Sequence, residues 1–117
     1  MEERLGIDTE AALAFCGGEY SLYREVLFDY AETYPGKRAE LDRCFDDADW
    51  HEFEVKIHAL KSNSKTIGAT ELSEKALSLE EAAGSGKADF IRNTYPDFAL
   101  AYQKIAQAIQ ELMESRK

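Results

Sequence analysis

The chain has 117 residues, 44% of them hydrophobic and 11% aromatic, and carries a formal net charge of −9. That length is near the commonest size of one domain, and the composition supports a packed core, which excludes a disordered chain. The excess of acid excludes a duplex nucleic acid as partner and works against an anionic membrane face, because Lys and Arg hold both.

No apolar run approaches the roughly 20 residues that a membrane span needs. The opening Met1-Glu2-Glu3-Arg4 has no apolar segment of the kind a secretion signal carries. Cys16 and Cys44 stand far apart and outside any C-x-x-C spacing, so they read as buried thiols rather than as a metal site or disulfide framework. A reducing, cytoplasmic setting follows as the expectation.

Asp8 can cap a short first helix that Gly17-Gly18 ends. From Tyr20 the apolar set Tyr23, Val26, Leu27, Tyr30 and Tyr34 repeats at helical spacing. Pro35 should kink this helix, but the phase survives it in Leu41, Cys44, Phe45 and Ala48. One long helix over 20–47 is predicted. Asp49-Trp50-His51-Glu52 resembles a capping box, with the acid three residues after the cap. The helix it starts carries Trp50, Phe53, Ile57, Leu60 and Ile67 along one face, with Ser64 in the remaining slot, and Gly68 stops it.

Thr70 reads as the next cap, and Leu72, Ala76, Leu79 and Ala83 form the stripe that follows. Gly84-Ser85-Gly86 makes a flexible turn. The last segment, 88–114, carries Ile91, Tyr95, Phe98, Tyr102, Ile105, Ile109 and Leu112. Its phase runs through Pro96, which either kinks one helix or opens a second at its first position. No stretch alternates with period two for long enough to be a strand. One all-α domain over 1–117 is expected: an antiparallel up-and-down four-helix bundle with a short extra N-terminal helix, either whole or part of a longer signalling protein.

His58 follows Ile57 by one residue, so it is turned about 100° from the core stripe and stands at the edge of the exposed face. From Val55 to Thr70 the sequence holds Lys56, Lys61 and Lys65 and no acid, an unusual window in so acidic a chain. Lys61 and Lys65 fall one and two turns beyond His58 on its own side, where ammonium groups would offset a phosphoryl group on the imidazole. Ala59 and Ser62 are small and leave the ring approachable. Val55 and Ala59, with His51 two turns earlier, form a candidate docking patch. Metal chemistry finds no support: Glu54 and His58 lack the i, i+3 spacing of di-iron bundles, and no histidine stands four places after His51. Phosphate-cradling glycine loops and kinase signatures are absent.

His58-Ala59-Leu60-Lys61-Ser62 followed by Ile67-Gly68-Ala69 resembles the H-x-L-K-G…L-G-A signature of histidine-phosphotransfer (HPt) domains. The resemblance extends to Phe15-Cys16-Gly17-Gly18, to Asp46-Asp47-Ala48-Asp49-Trp50, and to Leu72-Ser73 through Leu79-Glu80. It implies an antiparallel four-helix bundle with an exposed phosphoacceptor histidine midway along one helix, here His58, and it matches Lys61 to the family's lysine. It implies a phosphocarrier without a catalytic centre of its own, a monomer that exchanges phosphate with response-regulator receiver domains, or with a hybrid sensor histidine kinase, while the receiver supplies the aspartate and Mg²⁺. Ser62 departs from the family's usual glycine, which puts ring orientation or partner choice in question. The competing expectation is a helical module that binds receivers without carrying phosphate.

Overall fold

The computed structural model describes residues 17–115. Helix α1 spans Tyr20–Asp46, α2 Trp50–Thr66, α3 Thr70–Gly84 and α4 Ala88–Ser115, and no strand occurs among the described residues. The short first helix expected after Asp8, and Cys16 with it, lies outside them. No helix among them is long and apolar enough to cross a membrane.

The three connections share one device. Asp49 N–H reaches back to the Cys44 carbonyl at 2.9 Å, Ala69 N–H to Ser64 at 2.8 Å, and Lys87 N–H to Ala82 at 2.9 Å. Each is the six-residue closure that satisfies the free carbonyls of a helix end, and it requires a left-handed residue just before the donor. Those residues are Ala48 (φ 54°), Gly68 (φ 88°) and Gly86 (φ 71°). Ala48 is therefore not the last member of the α1 core stripe, as its spacing suggested. It is exposed, because the chain turns there.

The caps divide in the same way. The Asp49 carboxylate accepts from Glu52 N–H at 3.3 Å, as the capping box predicted. Thr70 does not cap α3: it is the first helical residue, and Ala69 occupies the cap without a side-chain bond. Pro35 and Pro96 both lie inside unbroken helices, on exposed positions, so α4 is one helix rather than two. Both rings lie on the exposed face, where each removes one helix hydrogen bond and crowds the carbonyl four residues earlier without breaking the helix.

The apolar stripes meet in one core. Leu41, Cys44, Phe53, Ile57, Leu60, Ile67, Leu72, Ala76, Leu79, Ile91, Tyr95, Phe98, Tyr102 and Ile109 are all buried. On α3 the stripe bends slightly, with Ala82 buried and Ala83 half-buried. Rings fill the middle: Phe45 stacks on Tyr95 at 4.8 Å, and Tyr102 meets Tyr34 and Tyr30 edge-on at 4.7 and 5.6 Å. A polar strap joins α1 to α4, with Tyr95 OH donating to Asp42 at 2.7 Å and Arg38 donating to both Asp42 and Tyr34.

Ser64, the polar member of the α2 stripe, is fully buried and bonds the Tyr30 hydroxyl at 2.8 Å. Burial raises the Tyr30 phenol far above its ordinary range, so it stays a hydroxyl. Ser64→Ala strands that hydroxyl and should cost about 1–3 kcal/mol. Adding Tyr30→Phe should restore most of the loss, since no polar group is then left unpaired. Urea unfolding of the two variants checks this, and a double variant no more stable than Ser64→Ala would refute it.

Candidate functional site

His58 sits midway along α2 and is exposed, its side chain 58% accessible. The position follows from the stripe: Ile57 and Leu60 point into the core, and of the two exposed residues between them His58 stands on one flank and Ala59 on the other. The His58 flank faces α3, and there the acid-free window of the sequence ends. Glu80 comes across from α3, its Oε2 2.5 Å from His58 Nδ1 and its Oε1 2.8 Å from Lys61 Nζ. One carboxylate thus bridges the two residues that the sequence singled out. The Ser73 hydroxyl donates to the Lys61 carbonyl at 2.9 Å and ties the same stretch of α2 to α3.

Glu80 is largely shielded, 18% accessible. Burial acts to raise its carboxyl, but the hydrogen bonds from Lys61 and His58, and then their charges, outweigh burial and hold it below its ordinary range. It is therefore a carboxylate at neutral pH, and a carboxylate only accepts hydrogen bonds. His58 Nδ1 must then carry the proton, which leaves the Nε2 lone pair free on the neutral ring. The contact with Glu80 thus selects the tautomer with the proton on Nδ1.

The other sequence candidates separate into groups. Ser62 and Lys65 are exposed and line a groove between α2 and α3 with Lys61, Thr70, Ser73, Glu74 and Leu77. Val55 and Ala59 are exposed and line a second groove, on the α1 side, with Lys37, Glu40, Leu41, Lys56 and Leu60. Lys56 belongs wholly to that side: its ammonium pairs with Glu40 at 3.0 Å and Glu52 at 3.5 Å, away from His58. His51 is exposed in the first turn of α2 and lines neither groove. No group of three or more His, Cys, Asp or Glu side chains among the described residues is arranged to hold a metal ion.

Glu80 is the residue that reading the α2 window alone missed. A signal for it existed: it follows Leu79 on the α3 stripe by one residue, as His58 follows Ile57 on α2. Two flanking residues on neighbouring stripes face one another when their helices pair.

The structure resembles the HPt domain of a sensor hybrid histidine kinase from Shewanella, with a TM-score of 0.85 over 95% of this chain and 96% of that one, at 13% identity. The chain has the fold of an HPt domain. No protein-family profile matches it, and no curated protein matches it in sequence. At 13% identity the likeness is one of helix packing, since the HPt fold asks only for four apolar stripes of the right phase.

Proposed function

We propose that this HPt-fold chain is a phosphorelay intermediate of two-component signalling, in which His58 takes a phosphoryl group from a receiver-domain aspartate and passes it to another receiver. The observation that carries the reading is the exposed His58 ring with Nε2 left free by the Nδ1 contact to Glu80. The Nε2 lone pair attacks phosphorus, the bond to the aspartyl oxygen breaks, and that oxygen keeps its electron pair. The return step is the reverse. Transfer of this kind depends mainly on in-line positioning and charge stabilisation. In this reading the chain supplies a rigid, approachable nucleophile, and Lys61 supplies nearby positive charge. The partner supplies the aspartate and Mg²⁺, and the chain works as a carrier without a catalytic centre of its own.

The same reading takes the chain as one monomeric domain in the cytoplasm, partnered by receivers and by a hybrid sensor histidine kinase, with its helices packed antiparallel, up and down. Cross-helix contacts support that packing because the numbers run in opposite directions. Lys61 and Ser73, His58 and Glu80 pair across α2 and α3; Asp42 and Tyr95, Arg38 and Ala99 pair across α1 and α4. Docking is assigned to the two grooves flanking His58, through Val55 and Ala59 on one side and Ser62 and Lys65 on the other.

Incubation with a panel of phosphorylated receivers and Mg²⁺ tests the function. Expected is label on this chain that is labile in acid and stable in base, from some receivers and not others. Receiver binding without transfer from any of them would sink the relay and leave an interaction module in its place.

A further inference from the structure

The contact between His58 and Glu80 has a consequence for the phosphorylated form as well as for the free ring. Building on the reading of His58 as phosphoacceptor, we propose that Glu80 keeps phospho-His58 reactive into the alkaline range: its carboxylate retains the Nδ1 proton after phosphorylation, so the group that leaves phosphorus is neutral imidazole.

Attack through Nε2 produces a ring with a phosphoryl group on Nε2 and the original hydrogen on Nδ1, formally an imidazolium. No proton has moved. If that hydrogen is then lost to water, the ring becomes a neutral phosphoimidazole. Breaking its N–P bond must expel an imidazolate or wait for a proton to return. With the hydrogen kept on Nδ1, the N–P bond breaks with its electron pair remaining on Nε2, and neutral imidazole departs. The acceptor is the aspartyl oxygen of a receiver, or water, which then gives its proton to the phosphate or the medium. Whatever holds the Nδ1 hydrogen therefore sets the pH above which the phosphoryl group is no longer readily given up.

The surroundings fit that role. Glu80 Oε2 lies 2.5 Å from Nδ1, and the other oxygen is anchored 2.8 Å from Lys61 Nζ, so the carboxylate is held in place rather than free to swing away. Of the charged groups nearby on α2, Lys61 opposes retention of the proton, while Glu54, one turn before His58, lies along the same α2–α3 seam with its Oε2 2.5 Å from where a Cβ on Gly84 would stand. On α3, Glu80 makes the direct contact, and Glu81 beside it is exposed. On α1, Lys37 and Glu40 line the opposite groove, where Lys56 holds Glu40. The nearest negative charge is Glu80. Its carboxyl is held below the ordinary carboxylate range. The phosphoryl group itself ionises at about pH 6, so the difference made by Glu80, rather than the bare profile, isolates the ring.

Phosphoramidate charges exposed imidazoles chemically, with no receiver or kinase present, so the test does not depend on the relay. The chain has two histidines, and His51→Gln in every protein leaves His58 as the one acceptor. Loss of phosphate is followed by ³¹P NMR from pH 5 to 9 in this background, with Glu80 present and with Glu80→Gln, which accepts the Nδ1 hydrogen through an uncharged oxygen. Exchanging a charged for a neutral acceptor should lower the midpoint of the lability profile by about one unit, so that above it the Glu80→Gln protein holds its phosphate roughly tenfold longer. The two should converge at low pH, where both rings are protonated. Free phosphohistidine in the same buffer gives a comparison that needs no variant: the midpoint of the protein with Glu80 should lie above it. Coincident profiles for the protein with Glu80, its Glu80→Gln variant and free phosphohistidine would overturn the proposal. Failure of every receiver to charge the protein would instead remove the relay and leave this profile standing.

Discussion

His58→Gln should abolish phosphoryl acceptance while leaving the fold intact. The side chain is 58% accessible and lies outside the core, so its replacement should change stability by no more than about 0.5 kcal/mol. Glutamine has similar reach and can still donate to Glu80, but it offers no ring nitrogen with a free lone pair. Label from a phosphorylated receiver should therefore fall to background, while circular dichroism and receiver affinity stay close to those of the parent. Chemical stability of the label adds a second check. An N–P bond is lost in acid and survives base, whereas a phosphoserine at neighbouring, exposed Ser62 would survive acid. Acceptance by His58→Gln at the parent rate, or acid-stable label, would remove His58 from the centre of the proposal.

Phe53→Ala should be the most damaging change to the fold. Phe53 is fully buried on α2 and meets Trp50 edge-on at 6.0 Å and Tyr95 at 5.4 Å. Removing the ring loses its transfer energy and leaves a cavity walled by rings that cannot collapse far, a loss of about 3–5 kcal/mol. Whole domains are stable by only about 5–15 kcal/mol, so a substantial part of the margin disappears. For a domain near this size Tm should fall by about 15 °C or more. Val55→Ala, on the same helix but exposed, serves as control and should move it little. Thermal unfolding of both variants checks the pair, and a Phe53→Ala loss below about 1 kcal/mol would show that the aromatic cluster is not central to the core. Transfer by the folded fraction of Phe53→Ala should persist, because His58, Lys61 and Glu80 are untouched.

Much of this was legible in the residues alone. Tyr23 through Cys44, Phe53 through Ile67 and Ile91 through Ile109 announce their helices because one apolar stripe per helix is what a small bundle demands, and both prolines could be read through because the phase continued beyond them. The failures are local. Ala48 kept the stripe's spacing but ends the helix in a left-handed conformation that glycine adopts at the other two turns. Thr70 has a capping side chain, yet the chain leaves Gly68 in such a way that Ala69 takes the cap. Both depend on where a turn places the next helix, which periodicity does not encode.

The site was half legible, for a related reason. His58 and Lys61 are neighbours on one helix, and spacing alone joins them. Glu80 is 22 residues further along the chain and reaches His58 only because α3 folds back beside α2. The local charge count was correct along the sequence and incomplete in space. It gave the lysines as a bare positive surround, whereas Lys61 is already engaged with the carboxylate that also holds the ring.

In the proposed relay, the ridge of α2, with a groove on each side, also bears on traffic. The helix has 17 residues and is therefore about 25 Å long. A typical protein partner takes about 800 Å² of surface, a disc about 30 Å across, so one receiver centred on His58 occupies the full length of the ridge. Donor and acceptor cannot be seated together. Each must vacate before the next arrives, and an excess of either uncharged partner slows the exchange by queueing. Fast signalling through such a berth requires loose, short-lived docking, so throughput is set as much by departure as by chemistry.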